Sequence, residues 1–377
     1  MTALAGGLSG CLGMGDDAQV PKSAVTTRAA TTTHPVAAPA AKKPRRRRTA
    51  LARLVGQKFV VAYRDTTEPP PALLRRIERG EVGGVILFSD NVPRTGAAGI
   101  KRTVARLQKA ARAGGNPPLL VATDQEGGDV RRMPGPPNRS PRELGRAPLP
   151  SVSSAGVATG RSLRAMGIGV DLAPVADAPA AASKSFLGTR AFGTAAQPRI
   201  RAAVAFAAGL QRAGVAATAK HYPGLGSSGP LNTDVAPVTL ATPLAAMERE
   251  RAGFVDQIVA GTRLVMVSNA TYLAYDRARP AVVSPTIIGR LRDDGFRGVV
   301  VSDELRVPGL RRFGVQTAAA ATRAGVDVLL FGNSGGEAEY RSLLNDVKAG
   351  RVRRRLVEQQ VRRIVRLKRW IAAEASR

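Results

Sequence analysis

The chain of 377 residues holds one Cys, two His and one Trp, and only 4% of it is aromatic. A single cysteine excludes an intramolecular disulfide framework and any cysteine-built zinc module. With His34 and His221 as the only histidines, a His-rich metal site is excluded, although an all-oxygen cation site is not. No metal and no cofactor are expected. Acidic residues are scarce too: 28 Asp+Glu against 57 Lys+Arg leave a formal charge of +29. No stretch of the body approaches 18 consecutive apolar residues, so no membrane-spanning helix is expected there. The rest is ordinary. A hydrophobic fraction of 44% belongs to a globular chain, and 40 Gly and 26 Pro imply many turns.

The positive excess invites a nucleic-acid reading, but it is spread along the chain and densest in Arg351–Arg369. There Val352, Leu356, Val361, Ile364, Val365 and Leu367 recur at near-helical spacing. That pattern reads as a closing amphipathic helix with a solvated basic face, and no nucleic-acid partner is expected. Met1–Ala50 has too little bulky apolar content to offset the entropy of ordering, so a disordered tether is expected, ending in the run Lys42–Arg48. Within it, Leu8-Ser9-Gly10-Cys11 resembles the lipobox of bacterial lipoproteins. In that family the cysteine is lipid-modified, which implies a cell-envelope or extracellular protein anchored to membrane through Cys11, with a cytoplasmic protein as the alternative. Only ten residues precede Cys11 and none is Lys or Arg, a short leader that a start codon assigned too far downstream would explain.

From Leu51 to the C-terminus, taken as one domain, short β-branched runs alternate with helix-compatible stretches. The runs are Phe59–Tyr63, Val82–Phe88, Leu119–Thr123, Ile168–Val175, Val215–Ala219, Leu264–Val267, Gly298–Val301 and Val326–Phe331. Alternation of this kind implies right-handed parallel crossovers, and eight units predict an α/β fold of the (β/α)8 TIM-barrel type. A doubly wound open sheet is the competing arrangement, but it would bring a Gly-rich phosphate loop after an early strand, and none is present. In a barrel, chemistry collects at the C-terminal strand ends. Those ends read Asp90-Asn91, Asp124-Gln125-Glu126, Asp177, Lys220-His221, Ser268-Asn269 and Ser302-Asp303-Glu304. A rim of carboxylates, a Lys, a His and amides suits a polyhydroxylated ligand.

Six segments carry a resemblance: VGGVILFSDNV (Val82–Val92), DQEGGDVRRM (Asp124–Met133), DLAPVAD (Asp171–Asp177), LGTRAFG (Leu187–Gly193), KHYPGLG (Lys220–Gly226) and VVVSDEL (Val299–Leu305). Over Leu51–Ile371 the chain resembles the family 3 glycoside hydrolases, in particular the single-domain β-N-acetylhexosaminidase branch. The resemblance implies a retaining glycosidase acting on carbohydrate, such as β-linked N-acetylhexosamine in cell-wall fragments. It places Asp303 at the catalytic nucleophile. It also places Asp124, Arg132, Arg190, Lys220 and His221 among sugar-binding residues. Glu126 is open to either of two roles, one in the site and one as an acceptor tying the Gly127-Gly128 turn. One segment departs from the family. Its flexible loop carries an Asp-x-His dyad whose His is the general acid/base, whereas Asn232 and Asp234 stand at those positions here. Retaining hydrolysis needs a group that protonates the leaving oxygen, and Asp234 is the expected substitute. A second departure is Ser268-Asn269, where many members have a His. The other reading these departures allow is a catalytically impaired, cell-surface carbohydrate-binding protein on the same barrel.

Overall fold

The structure, a computed structural model, describes residues 43–179, 185–333 and 335–376. Cys11 and residues 1–42 of the expected tether lie outside the described residues.

Eight strands close the barrel: β1 (Phe59–Val61), β2 (Gly84–Ile86), β3 (Leu120–Thr123), β4 (Val170–Asp171), β5 (Ala216–Tyr222), β6 (Leu264–Val267), β7 (Val299–Glu304) and β8 (Val328–Phe331). Each pairs in parallel with its neighbours in sequence, and β8 pairs with β1. The expected (β/α)8 barrel is the fold that forms, and each of the eight apolar runs supplies one strand. The main helices are α1 (Lys43–Gly56), α2 (Pro71–Glu78), α3 (Gly96–Ala113), α4 (Leu149–Ala165), α5 (Ala196–Arg212), α6 (Leu244–Val259), α7 (Pro285–Asp293), α8 (Thr317–Ala324), α9 (Glu337–Lys348) and α10 (Arg354–Ala375). The first of them takes in residues 43–50, which the sequence alone assigns to the tether.

The strands read as unbroken apolar runs because both of their faces are covered. Val60, Ala62, Ile86, Leu120, Val170, Leu264, Val299 and Leu330 fill the barrel interior. The alternate residues Phe59, Val61, Val85, Val121, Val265 and Leu329 point outward under the helices. The inner cluster also takes in Ile364 and Leu367, so α10 lies across the end of the barrel where the strands begin. Two buried lysines complete that closure. Lys58 Nζ donates to the Val326 and Asp327 carbonyls at 2.8 and 2.9 Å and to Gln360 Oε1 at 2.7 Å. Lys368 Nζ donates to Gln57 Oε1 at 2.6 Å and to the Gly83 carbonyl at 2.9 Å. The opposite end, where the strands finish, carries two additions. One is the hairpin Gln125–Gly127 with Val130–Arg131, and the other is a small sheet of Thr239–Leu240, Thr271–Tyr272 and Asp276–Pro280. No helix among the described residues is long and apolar enough to cross a membrane.

Candidate active site

The strand ends surround a cavity of about 630 Å³ lined by Asp124, Glu126, Arg132, Arg190, Lys220, His221, Asp234 and Asp303, among others. Each side chain gets there by local construction. After β3 the chain turns through Gly127 and Gly128, with φ of 104° and 58°, where an added Cβ would meet the Arg139 carbonyl or Ser140. The buried Gln125 side chain fastens this hairpin, donating to the Met133 and Pro136 carbonyls and accepting from the Met133 amide, all within 3.1 Å. Arg132 is thereby presented to the cavity, and its buried Nε has no partner among the described residues. An unpaired buried donor at a cavity wall suits a ligand oxygen.

Next to it lies a four-member charge cluster. Arg190 forks onto Glu126 at 2.8 and 2.9 Å, and Lys220 Nζ stands 2.7 Å from both Glu126 Oε1 and Asp124 Oδ1. Burial disfavours the Glu126 charge, yet Arg190 and Lys220 together outweigh it and hold the carboxyl down at about 2. Burial likewise works against the Lys220 ammonium, but Asp124 and Glu126 raise its pKa above the ordinary value. Asp124 keeps partial exposure, so it can meet a ligand in the cavity, while Glu126 is spent on its two cations. The carboxylate of Glu126 therefore clamps Arg190 and Lys220 across the cavity rather than tying the Gly127-Gly128 turn. Below the cluster, at the end of β4, Asp171 accepts the Gln125 amide at 2.9 Å. Burial first, with Asp124 and Glu126 nearby, pushes its pKa up to about 8.

His221 closes the next side. Its Nδ1 lies 2.7 Å from Asp177 Oδ2, while Asp177 Oδ1 accepts from the His221 and Leu225 amides at 3.1 and 2.7 Å. Burial opposes the Asp177 charge, but His221 and these amides hold its pKa below the ordinary value. The carboxylate fixes the ring with Nδ1 inward and leaves Nε2 for a ligand. Behind this pair, Glu250 Oε2 accepts the Gly226 amide at 3.1 Å, and burial with Asp177 nearby raises its pKa to about 7.

Asp303 stands at the end of β7, where its Oδ1 accepts the Glu304 amide at 2.8 Å. Its neighbour Glu304 faces a different task. That carboxylate accepts from the Arg306, Gly332 and Asn333 amides, which ties the ends of β7 and β8 together. Burial raises the Glu304 pKa all the same. Asp234 lies in the loop before Thr239–Leu240, its amide donating to Asn232 Oδ1 at 2.9 Å in an Asx turn. The residue is open to solvent on its outer side. On the cavity side, loss of water and then the Asp303 carboxylate push its pKa up to about 6, against the pull of His221 and Arg190. Ser268 and Asn269 do not line the cavity. Asn269 Nδ2 donates to the Glu304 carbonyl at 2.6 Å, which links the ends of β6 and β7. Among the described residues, no cluster of three or more His, Cys, Asp and Glu is arranged to hold a metal ion.

All seven residues expected in the site from sequence thus line one cavity. Four more that matter to it lie outside that set: Glu126, whose role the sequence leaves open, Asp171, Asp177 as the partner of His221, and Glu250. The residues DLAPVAD place Asp171 and Asp177 at a strand end, which is signal enough for Asp177; nothing local marks Glu250, which comes from the middle of α6.

A closed barrel whose C-terminal rim converges carboxylates, a forked arginine, a lysine and a fixed imidazole on one polar cavity is the form of a barrel enzyme whose site takes a hydroxyl-rich ligand. Comparison with known proteins makes that class specific. The sequence model for the glycosyl hydrolase family 3 N terminal domain matches residues 60–367. An uncharacterized secreted glycosyl hydrolase of Arthroderma benhamiae is 32% identical over 336 residues, covering 86% of this chain and 94% of its own length. A beta-hexosaminidase of Alkalilimnicola ehrlichii is 33% identical over 320 residues, covering 77% of this chain and 86% of its own. Among solved structures, a family 3 beta-N-acetylglucosaminidase from Paenibacillus sp. str. FPU-7 superposes with a TM-score of 0.80 at 31% identity. That match covers 85% of this chain but 62% of the Paenibacillus chain, so this chain spans about three-fifths of that protein's length. The chain belongs to glycosyl hydrolase family 3 and is a glycosyl hydrolase.

Proposed function

We propose that this enzyme is a retaining glycosidase that releases β-linked N-acetylhexosamine, with Asp303 as nucleophile and Asp234 as general acid/base. The observation that carries the reading is the pairing of Asp303 and Asp234 on one cavity, with Asp234 poised to hold a proton up to about pH 6. Relatives named for hexosaminidase and N-acetylglucosaminidase activities support the choice of sugar.

In the first step the Asp303 carboxylate attacks the anomeric carbon as the glycosidic C–O bond breaks, and Asp234 gives its proton to the leaving oxygen. The sugar is then held on Asp303 as an ester. Asp234, now ionised, takes a proton from water, whose oxygen attacks the same carbon and frees Asp303. Asp124, Lys220, His221 and Arg132 hold the hydroxyls through both steps, and the Glu126 clamp fixes Arg190 and Lys220 for that purpose. Incubation with a fluorinated aryl glycoside that traps the intermediate should leave one sugar mass on the peptide containing Asp303. Steady turnover of the unfluorinated analogue with an adduct elsewhere, or with none, would refute the assignment.

The finer placement of the protein is part of the same reading. Export with a lipid on Cys11, supported by the Leu8–Cys11 motif, would bring the enzyme to cell-wall fragments. Mass spectrometry of the native N-terminus should find an acylated Cys11, and an unmodified Met1 would rule the anchor out.

A further inference from the structure

The strand-start end of the barrel carries a groove that hydrolysis does not use. Strand β7 runs from Val299 to Glu304, so a cavity at Val299 lies at the end opposite to Asp303. Two cavities adjoin there, of about 650 and about 360 Å³, sharing Phe296, Arg297, Arg363 and Arg366. Six arginines line them: Arg263, Arg292, Arg297, Arg362, Arg363 and Arg366. Neither cavity is lined by any Asp or Glu.

Two of these arginines already meet a carboxylate. Asp327, fully buried, accepts from Arg292 at 2.9 Å and from Arg363 at 2.8 and 3.0 Å, which fixes those two guanidinium groups at the floor. Arg297 is pinned through Nη1 to the Arg292 carbonyl at 2.6 Å. Among the described residues, the side chains of Arg362 and Arg366 make no ion pair and no hydrogen bond, so their donors face the groove unmet. Fixed arginines at the base with free ones at the rim give several forked donors to tetrahedral oxyanions, with no competing acid.

The shape narrows the occupant. Two adjoining cavities lined by six arginines favour a chain with repeated charges over a single ion. Single-stranded nucleic acid is held by stacking its bases on exposed aromatic faces. Here Phe296 is buried, and Arg263 lies over the Trp370 ring at 4.6 Å from its centroid. We infer that this groove binds a base-free anionic polymer whose charges are phosphodiesters, so that the enzyme can hold such a chain at one end of the barrel while the other end works on a glycoside.

Trp370 is the only tryptophan, so its fluorescence reports occupation of the groove directly. Titration of the full-length protein with an oligo(glycerol phosphate) should change that emission to saturation, with affinity falling as salt rises. The variant Arg362→Glu/Arg366→Glu should bind roughly tenfold more weakly or worse, with its melting temperature kept, because both side chains are exposed and unpaired. Arg201→Glu/Arg249→Glu makes the same charge change at exposed sites on α5 and α6 and should bind within about twofold of wild type. Equal weakening by the two doubles would reduce the effect to net charge and overturn the site. So would saturation without any change at Trp370. Single-stranded DNA of equal charge binding as tightly, or anionic vesicles binding where the oligomer does not, would overturn the class of ligand.

Discussion

Replacing Glu126 by Gln keeps the size of the side chain and removes one buried charge, and the surrounding cations set the scale of the loss. Glu126 accepts two bonds from Arg190 and stands 2.7 Å from Lys220, with its side chain fully buried. Its pKa lies at about 2 against an ordinary 4.5. At about 1.4 kcal/mol for each pH unit, that gap corresponds to roughly 3 kcal/mol of stability at neutral pH. A glutamine would also turn an amide N–H toward two cations, and breaking one partner of a buried pair costs about 3–5 kcal/mol. The two routes agree, so denaturant unfolding at pH 7 should show Glu126→Gln less stable by about 3–5 kcal/mol. The sign of the pH dependence comes from the depressed pKa. The contribution of Glu126 is complete above its unfolded value and is lost as pH falls toward about 2. The gap between wild type and variant should therefore be level from pH 7 to 5 and narrow below about 4.5. A loss under 1 kcal/mol at pH 7, or a gap that widens on acidification, would refute the clamp.

The proposed chemistry sets three further outcomes. Asp303→Ala should lower kcat on aryl β-glycosides by about 10⁴-fold or more while leaving the melting temperature within a few degrees, because no other residue in the cavity replaces a nucleophile. Asp234→Asn should slow substrates with poor leaving groups by about 10²–10⁴-fold and dinitrophenyl glycosides far less, and the wild-type kcat/KM for the poor leaving groups should fall as pH rises through about 6. A flat response across leaving groups would remove Asp234 from the role. Asp177→Asn should cost about 1–3 kcal/mol of stability and raise KM, since three donors lose an ionised acceptor and His221 loses its fixed tautomer.

The barrel was legible because parallel strands covered on both faces leave continuous apolar runs, and almost every run passes within a residue or two into a polar one. Phe59–Tyr63 or Val326–Phe331 cannot be taken for one face of a helix. The closing role of Arg351–Arg369 was legible for a similar reason, from its one apolar stripe, yet its Lys368 is buried although the pattern counts it with the basic face. What stayed hidden are pairings between distant positions. Glu126 and Arg190 are 64 residues apart, and nothing in either motif says that one carboxylate must serve two cations. Asp171 is hidden in another way. An acid whose pKa is raised by burial looks, in sequence, like any other strand-end aspartate.

A loop without histidine at residues 227–237 need not end catalysis, for a reason that lies in the cavity rather than in the loop. An acid/base must carry a proton at the start of one step and lack it at the start of the next, so it works best with a pKa near the working pH. Histidine has such a value without help. A carboxyl needs its pKa raised, and two effects are available here: withdrawal of water on the cavity side and the charge of a second carboxylate. In the proposed roles the second effect changes during the reaction. Once the sugar is esterified to Asp303, that negative charge is gone, and the pKa of Asp234 falls at the moment when it should act as a base. A carboxylate facing another carboxylate is thus tuned by the chemistry it serves, and the site needs no imidazole for the proton if Asp234 reaches the leaving oxygen. The leaving-group series for Asp234→Asn measures that reach directly.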